Sequence, residues 1–142
     1  MKKILISMFL LVFGLCLVGC NSLEKDRNVT LKKYDNCAVF TFDNFSANET
    51  ISFKLDRTGL NEGTIYYQVN LIAGDLKINY QERWHDIIQP LGEFSADDET
   101  PINGAGGYVE GDKITIIFES NSDISGTIII AFTEESLEIV PE

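Results

Sequence analysis

From residue 37 onward the pattern of apolar side chains is almost entirely period two, and no stretch sustains a convincing helical repeat. Ile51, Phe53 and Leu55 alternate with Ser52 and Lys54, and the same alternation places Ile114, Ile116 and Phe118 together, then Ile128, Ile130 and Phe132. Period two belongs to strands that bury one face, so the chain is expected to be all-β, with no amphipathic helix. Short runs separated by Gly, Asn, Asp and Pro predict a single antiparallel β-sandwich of about 7–9 strands, jelly-roll or immunoglobulin-like. Alternation does not choose between those two topologies or give the strand order.

The same reasoning predicts a hairpin within 64–83. Ile65, Tyr67, Val69 and Leu71 share one face, as do Leu76, Ile78 and Tyr80, and pairing apolar with apolar closes the turn around 72–75. The opposite face would then place Tyr66 across from Gln81, Gln68 from Asn79 and Asn70 from Lys77. These six residues form the candidate ligand-binding surface. Planar amides and a ring could bond and stack against a glycan, although any solvent-facing strand carries such residues, with Tyr favoured for strand propensity.

Trp84 is expected in the core or at the sheet rim. Ile87, Ile88 and Leu91 suggest a short strand around Pro90, suited to an edge or a bulge. The glycine-rich and acidic stretch 95–107 reads as a long connection, of a kind that is often functional or mobile. A closing hairpin of 113–120 and 126–133 follows, with Ile117, Ile129 and Ala131 on its other faces, so it should be covered on both sides or central in its sheet.

Ahead of all this, Lys2 and Lys3 precede an apolar run, 4–18, that ends in Leu17-Val18-Gly19-Cys20. The run is shorter than the ~20 residues that span a bilayer. This N-terminus resembles the signal of bacterial lipoproteins. The resemblance implies that 1–19 is removed, that Cys20 is lipidated, and that the protein is extracytoplasmic and held to a bacterial membrane by that lipid. An ordinary secretory signal with a free Cys20, or an uncleaved anchor, are the alternatives. Residues 20–36 read as the lipidated Cys and a polar tether, in which Val29 and Leu31 could add a short edge strand; the sandwich domain is placed at 37–142.

After residue 20 there are nine basic residues against 22 acidic ones, a formal balance of −13 that disfavours nucleic acid and anionic headgroups as partners. Cys37 is the one thiol beyond Cys20, so no intramolecular disulfide is expected, and it reads as a small buried residue. His85 is the only histidine; on a strand, Asp86 would point away from it. Phosphate-loop, paired-Cys and His-Glu-x-x-His motifs are absent from the sequence. The acidic run Asp97-Asp98-Glu99 could hold calcium but lacks the ligand alternation of a calcium loop. No cofactor, resident metal or catalytic residue is therefore expected.

The run Gly107-Tyr108-Val109-Glu110-Gly111-Asp112-Lys113-Ile114-Thr115-Ile116 resembles the end of extracellular sandwich modules, carbohydrate-binding ones among them. The expected function is a non-catalytic, membrane-anchored module that binds a glycan or cell-envelope polymer. A protein-interaction or structural envelope lipoprotein is the alternative, and a small hydrolase the third reading.

Overall fold

The computed structural model describes residues 23–26, 28–45, 50–57, 63–83 and 86–138. The signal, Cys20, Trp84 and His85 lie outside them. Ten strands form two antiparallel sheets: β1 (Leu23–Asp26), β2 (Val29–Tyr34), β3 (Cys37–Phe45), β4 (Thr50–Asp56), β5 (Gly63–Ala73), β6 (Asp75–Glu82), β7 (Gln89–Ser95), β8 (Ile102–Val109), β9 (Lys113–Ser120) and β10 (Ile124–Ala131). A five-residue helix, α1 (Glu134–Glu138), follows.

The six-stranded sheet runs β1-β2-β3-β10-β5-β8 and the four-stranded sheet β4-β9-β6-β7. From β3 onward almost every successive strand changes sheet, only β6 and β7 remaining together as a hairpin. Pairs β3·β10, β4·β9, β5·β8 and β6·β7 are the successive rungs of one long folded ribbon. That is a jelly roll, which resolves the choice the sequence left open.

The faces follow the alternation. Ile51, Leu55, Ile65, Val69, Leu76, Ile78, Ile114, Ile116, Ile128 and Ile130 are all buried between the sheets. Phe118 is central, with ring centroids 4.8 Å from Phe40 and 5.0 Å from Phe42, both edge-on. Edge-on aromatic pairs of this spacing contribute roughly 0.5–1.5 kcal/mol beyond their buried area.

Several expectations need correction. The stretch read as a tether, with a short edge strand allowed at Val29 and Leu31, supplies β1 and β2, and Val29 and Leu31 are fully buried core residues, so the sandwich includes residues ahead of 37. Its many charges disguise it because β2 lies near the sheet margin and only alternate positions need be apolar. The 64–83 hairpin is not a hairpin within one sheet: β5 pairs with β10 and β8, while β6 pairs with β9 and β7. The chain turns a corner at Gly74, φ +87°, where a Cβ would stand 2.3 Å from the Asp123 carbonyl oxygen. Likewise β9 and β10 belong to different sheets, although each is central in its own, as the apolar residues on both faces require.

The presumed connection 95–107 contains β8, an edge strand. Its glycines are a packing requirement: a Cβ on Gly104 would meet the Tyr67 ring at 2.4–2.8 Å, and one on Gly107, φ +69°, the Tyr80 ring at 2.9 Å. Edge strand β7 carries Pro90 beside a register shift opposite Ile78 and Asn79, while Ile87 and Ile88 precede it and are exposed.

Cys37 is buried, and burial pushes its thiol up to about 11 from an ordinary 9.0. So little thiolate exists near neutral pH that the residue acts as packing.

Candidate functional site

The six candidate residues do not share a surface. Tyr66, Gln68 and Asn70 lie on the outer face of the six-stranded sheet, whereas Lys77, Asn79 and Gln81 lie on the outer face of the four-stranded sheet. Alternation is the same whether two strands pair side by side or face each other across a core, so matching apolar faces could not tell the two apart.

The first trio is partly occupied by packing. Cys37, Ile129 and Ala131 form a second, outer apolar cluster, with Tyr34, Val39, Tyr66 and Leu137 of α1 packed against it. The Tyr66 ring is therefore half-buried beside Ala131, its register partner, rather than presented as a platform. Gln68 is also half-buried, opposite Ile129, and only Asn70 is fully exposed.

The second trio forms the middle of a polar surface. In register across the four-stranded sheet stand Thr50, Glu119 and Lys77, then Ser52, Ile117 and Asn79, then Lys54, Thr115 and Gln81. Two clefts open on this sheet. One, about 370 Å³, lies where β6 ends and β9 begins and is lined by Lys54, Gln81, Glu82, Arg83, Asp86, Lys113, Ile114 and Thr115. The other, about 350 Å³, lies at the opposite end and includes Asp75, Lys77, Glu93, Glu119 and Asn121.

Between the clefts Asn79 is only 4% exposed and Ile117 8%. Asn79 Nδ2 donates to Glu119 Oε2 at 3.2 Å, and Lys77 Nζ stands 3.9 Å from that same oxygen. The two half-exposed charges offset one another, which leaves the second cleft strongly acidic through Asp75 and Glu93. The first cleft is different. Among the described residues neither the Lys54 nor the Lys113 side chain has a hydrogen bond or ion pair, while Arg83 reaches Asp112 at 4.0 Å.

Beneath the first cleft two charged side chains point inward. Arg57 and Glu82 hold core positions by strand parity and are 3% and 8% exposed. Arg57 Nη1 donates to the carbonyls of Val109 (3.2 Å) and Gly111 (2.6 Å), and its guanidinium lies 5.4 Å from the Phe132 ring centre. Glu82 Oε1 accepts from the Glu110 amide at 2.6 Å. Together they clamp the β8–β9 turn and the end of the sandwich. Burial pulls the Arg57 guanidinium below its ordinary range, and the Glu82 carboxylate pushes it back up. Among the described residues, Arg57 Nε and Nη2 have no hydrogen-bond partner. Sequence alternation marks Glu82 as a break in an apolar face, which is the one signal that could have found this pair.

Among the described residues no group of three or more His, Cys, Asp or Glu side chains converges to hold a metal. At the 97–99 run, Asp98 Oδ2 accepts from the Ser95 amide and Ser95 Oγ from the Asp97 amide, which makes a closed turn.

The fold and this surface define a jelly-roll sandwich with one outer sheet face left polar. No family model matches the chain, and no curated protein matches it. Solved structures that this chain resembles include the capsular polysaccharide assembling protein CapF from Staphylococcus aureus, at 12% identity and a TM-score of 0.44 over 80% of this chain and 28% of CapF. This chain thus spans less than a third of that protein's length. A family 29 carbohydrate-binding module is similar at 14% identity and a TM-score of 0.44, covering 80% of this chain and 76% of the module. The cupin domain of Drosophila melanogaster CENP-C is similar at 3% identity and a TM-score of 0.41, covering 80% and 75%.

Proposed function

We propose that this protein is a lipid-anchored, extracytoplasmic binding module that holds a glycan or cell-envelope polymer on the outer face of its four-stranded sheet and performs no chemistry on it. The observation that carries this reading is the row of two open polar clefts on rigid strands, separated by Asn79. Sugars present hydroxyls at fixed spacing, and a sheet offers side chains at fixed spacing with little to reorganise on binding. Gln81 and Thr115 in one cleft and Lys77 and Asn121 in the other supply donors and acceptors. Glu82, one of two carboxylates at the first cleft, is already engaged by the Glu110 amide and offsets Arg57. The Leu17-Val18-Gly19-Cys20 stretch supports the address in this reading: two acyl chains on Cys20 would anchor stably where one would not.

The test is binding of the full chain, in non-ionic detergent, to a panel of glycans and cell-wall polymers. Gln81→Ala and Lys77→Ala should each weaken binding about tenfold, a loss of ~1.4 kcal/mol. Tyr66→Ala and Gln68→Ala, on the other sheet, should change it less than twofold. The reverse pattern would move the site to the six-stranded sheet, and no binding to any polymer would remove the glycan reading.

A second reading, docking of a protein partner, rests on the β8 edge. The other edge strands carry charges or proline, with Lys54 and Asp56 in β4 and Pro90 and Glu93 in β7, whereas β8 has neither and carries exposed Tyr108 beside its last residue, Val109. Charges and prolines on an edge discourage strand addition, and an edge without them invites it.

A further inference from the structure

We infer that the ligand of the first cleft is an acidic glycan, one that carries a carboxylate or phosphate ester on its sugar units, with Lys54 and Lys113 holding the acid group. This inference rests on the glycan reading and specifies its chemistry.

Three observations meet here. The first is the pair of ammonium groups itself. Lys54 stands directly opposite Thr115 and Asp56 directly opposite Lys113, so the two lysines are diagonal neighbours on one face of β4 and β9. Diagonal neighbours lie roughly 7–8 Å apart at Cα, within reach of two long side chains that converge on one ligand group. Each is unpaired among the described residues, in a chain whose acidic residues outnumber its basic ones two to one. The nearest carboxylate, Asp56, stands directly opposite Lys113 and forms no ion pair with either lysine among the described residues.

The second is their setting. Thr115 and Gln81 lie in the same row as Lys54 and line the same cleft, so hydroxyl and amide groups flank the cations where sugar hydroxyls would flank an acid group. The acidic groups at this end are assigned elsewhere in part: Glu82 points inward to the Glu110 amide, and Asp112 faces Arg83. Asp56 stands directly opposite Lys113, and Asp86 lines the cleft itself.

The third is what the described part of this sheet face lacks. Its outward positions on β4, β9 and β6 hold no aromatic ring, since Tyr66 lies on the other sheet. Hydrogen bonds between neutral side chains and sugar hydroxyls exchange with water at little net gain. Charge-assisted bonds to an acid group are roughly twice as strong. The surrounding negative charge sets the other limit: sparse acid groups on an otherwise neutral polymer are accepted, and dense polyanions are repelled.

The experiment uses the full chain in non-ionic detergent with three hexasaccharides of one backbone: neutral, C6-oxidised to the uronic acid, and 6-phosphorylated. The expected result is that at least one acidic form binds tenfold or more tighter than the neutral one. Lys54→Gln/Lys113→Gln should abolish that preference, and 0.5 M salt should weaken it. Both lysines are exposed, so an unchanged thermal unfolding curve confirms that the variant is folded. Preference for the carboxylated or for the phosphorylated form identifies which acid the site takes. Equal binding of the neutral form, still lost in Gln81→Ala, would overturn the acidic assignment and leave the glycan reading standing. An acidic preference that survives the double substitution would overturn the role of the two lysines. No binding of any of the three would overturn both.

Discussion

Glu82→Leu is expected to destabilise the protein by about 3–5 kcal/mol, the range found when one member of a buried charged pair is removed. Glu82 is the counter-charge to a guanidinium that is 3% exposed and has two nitrogens without hydrogen-bond partners among the described residues. Without it the cation is left in a low-dielectric end of the core, and the Glu110 amide loses its acceptor. The diagnostic step is the second substitution. Adding Arg57→Met to Glu82→Leu should recover about 1–3 kcal/mol, because it removes the isolated charge and both orphan donors. Methionine can lie along the same path beside Phe132. Urea unfolding of the two single variants and the double variant measures this directly. A double variant less stable than Glu82→Leu alone would mean that the Arg57 bonds to Val109 and Gly111 outweigh the burden of its charge.

Gly126→Ala is the second large effect, again about 3–5 kcal/mol, from backbone strain joined to a clash in a central strand. Gly126 has φ +149°, a conformation that favours glycine, and a Cβ there would lie 2.4 Å from the Asn70 carbonyl oxygen and 2.8 Å from the Leu71 Cα. Both are backbone atoms of β5, so relief requires moving a whole strand. The residue also sits where β10 shifts register against both β3 and β5, which makes it the point about which the central strand is aligned. Gly111→Ala is the control: its added carbon would meet nothing nearer than 4.0 Å, and its effect should stay within about 0.5 kcal/mol. Equal losses in the two variants would show that the strain at Gly126 is not what sets the cost.

Alternation gave the buried residues of this fold well and their partners badly, for one physical reason. Ile51, Phe53 and Leu55 must face a core whichever strand lies beside them, so parity alone identifies them. That Leu76 pairs with Ser120 and Phe94 rather than with Leu71 depends on a ribbon folded over on itself, in which β3 meets β10 from the far end of the chain. Such non-local pairing leaves no short-range trace in the sequence. The candidate site failed in the same way. Lys77, Asn79 and Gln81 keep the parity of the outer face, but their partners are Glu119, Ile117 and Thr115 of β9, with Lys54 and Ser52 of β4 beyond, not Asn70, Gln68 and Tyr66 of β5. The same alternation already marked Lys54 and Ser52 as outward; what was missing was the strand order. Residues 23–34 were misjudged because their charges suggested solvent, although Val29 and Leu31 are enough to fix a marginal strand to the core.

Backbone amide shifts of the isotope-labelled full chain, titrated with a polymer that binds it, test the central claim most directly. Perturbations should concentrate on β4, β9 and β6, with Lys54, Asn79, Gln81 and Thr115 foremost, while Tyr66, Gln68 and Asn70 stay still. Shifts centred on β5 and β10 of the six-stranded sheet, or along the β8 edge alone, would contradict the placement of the site on the four-stranded sheet.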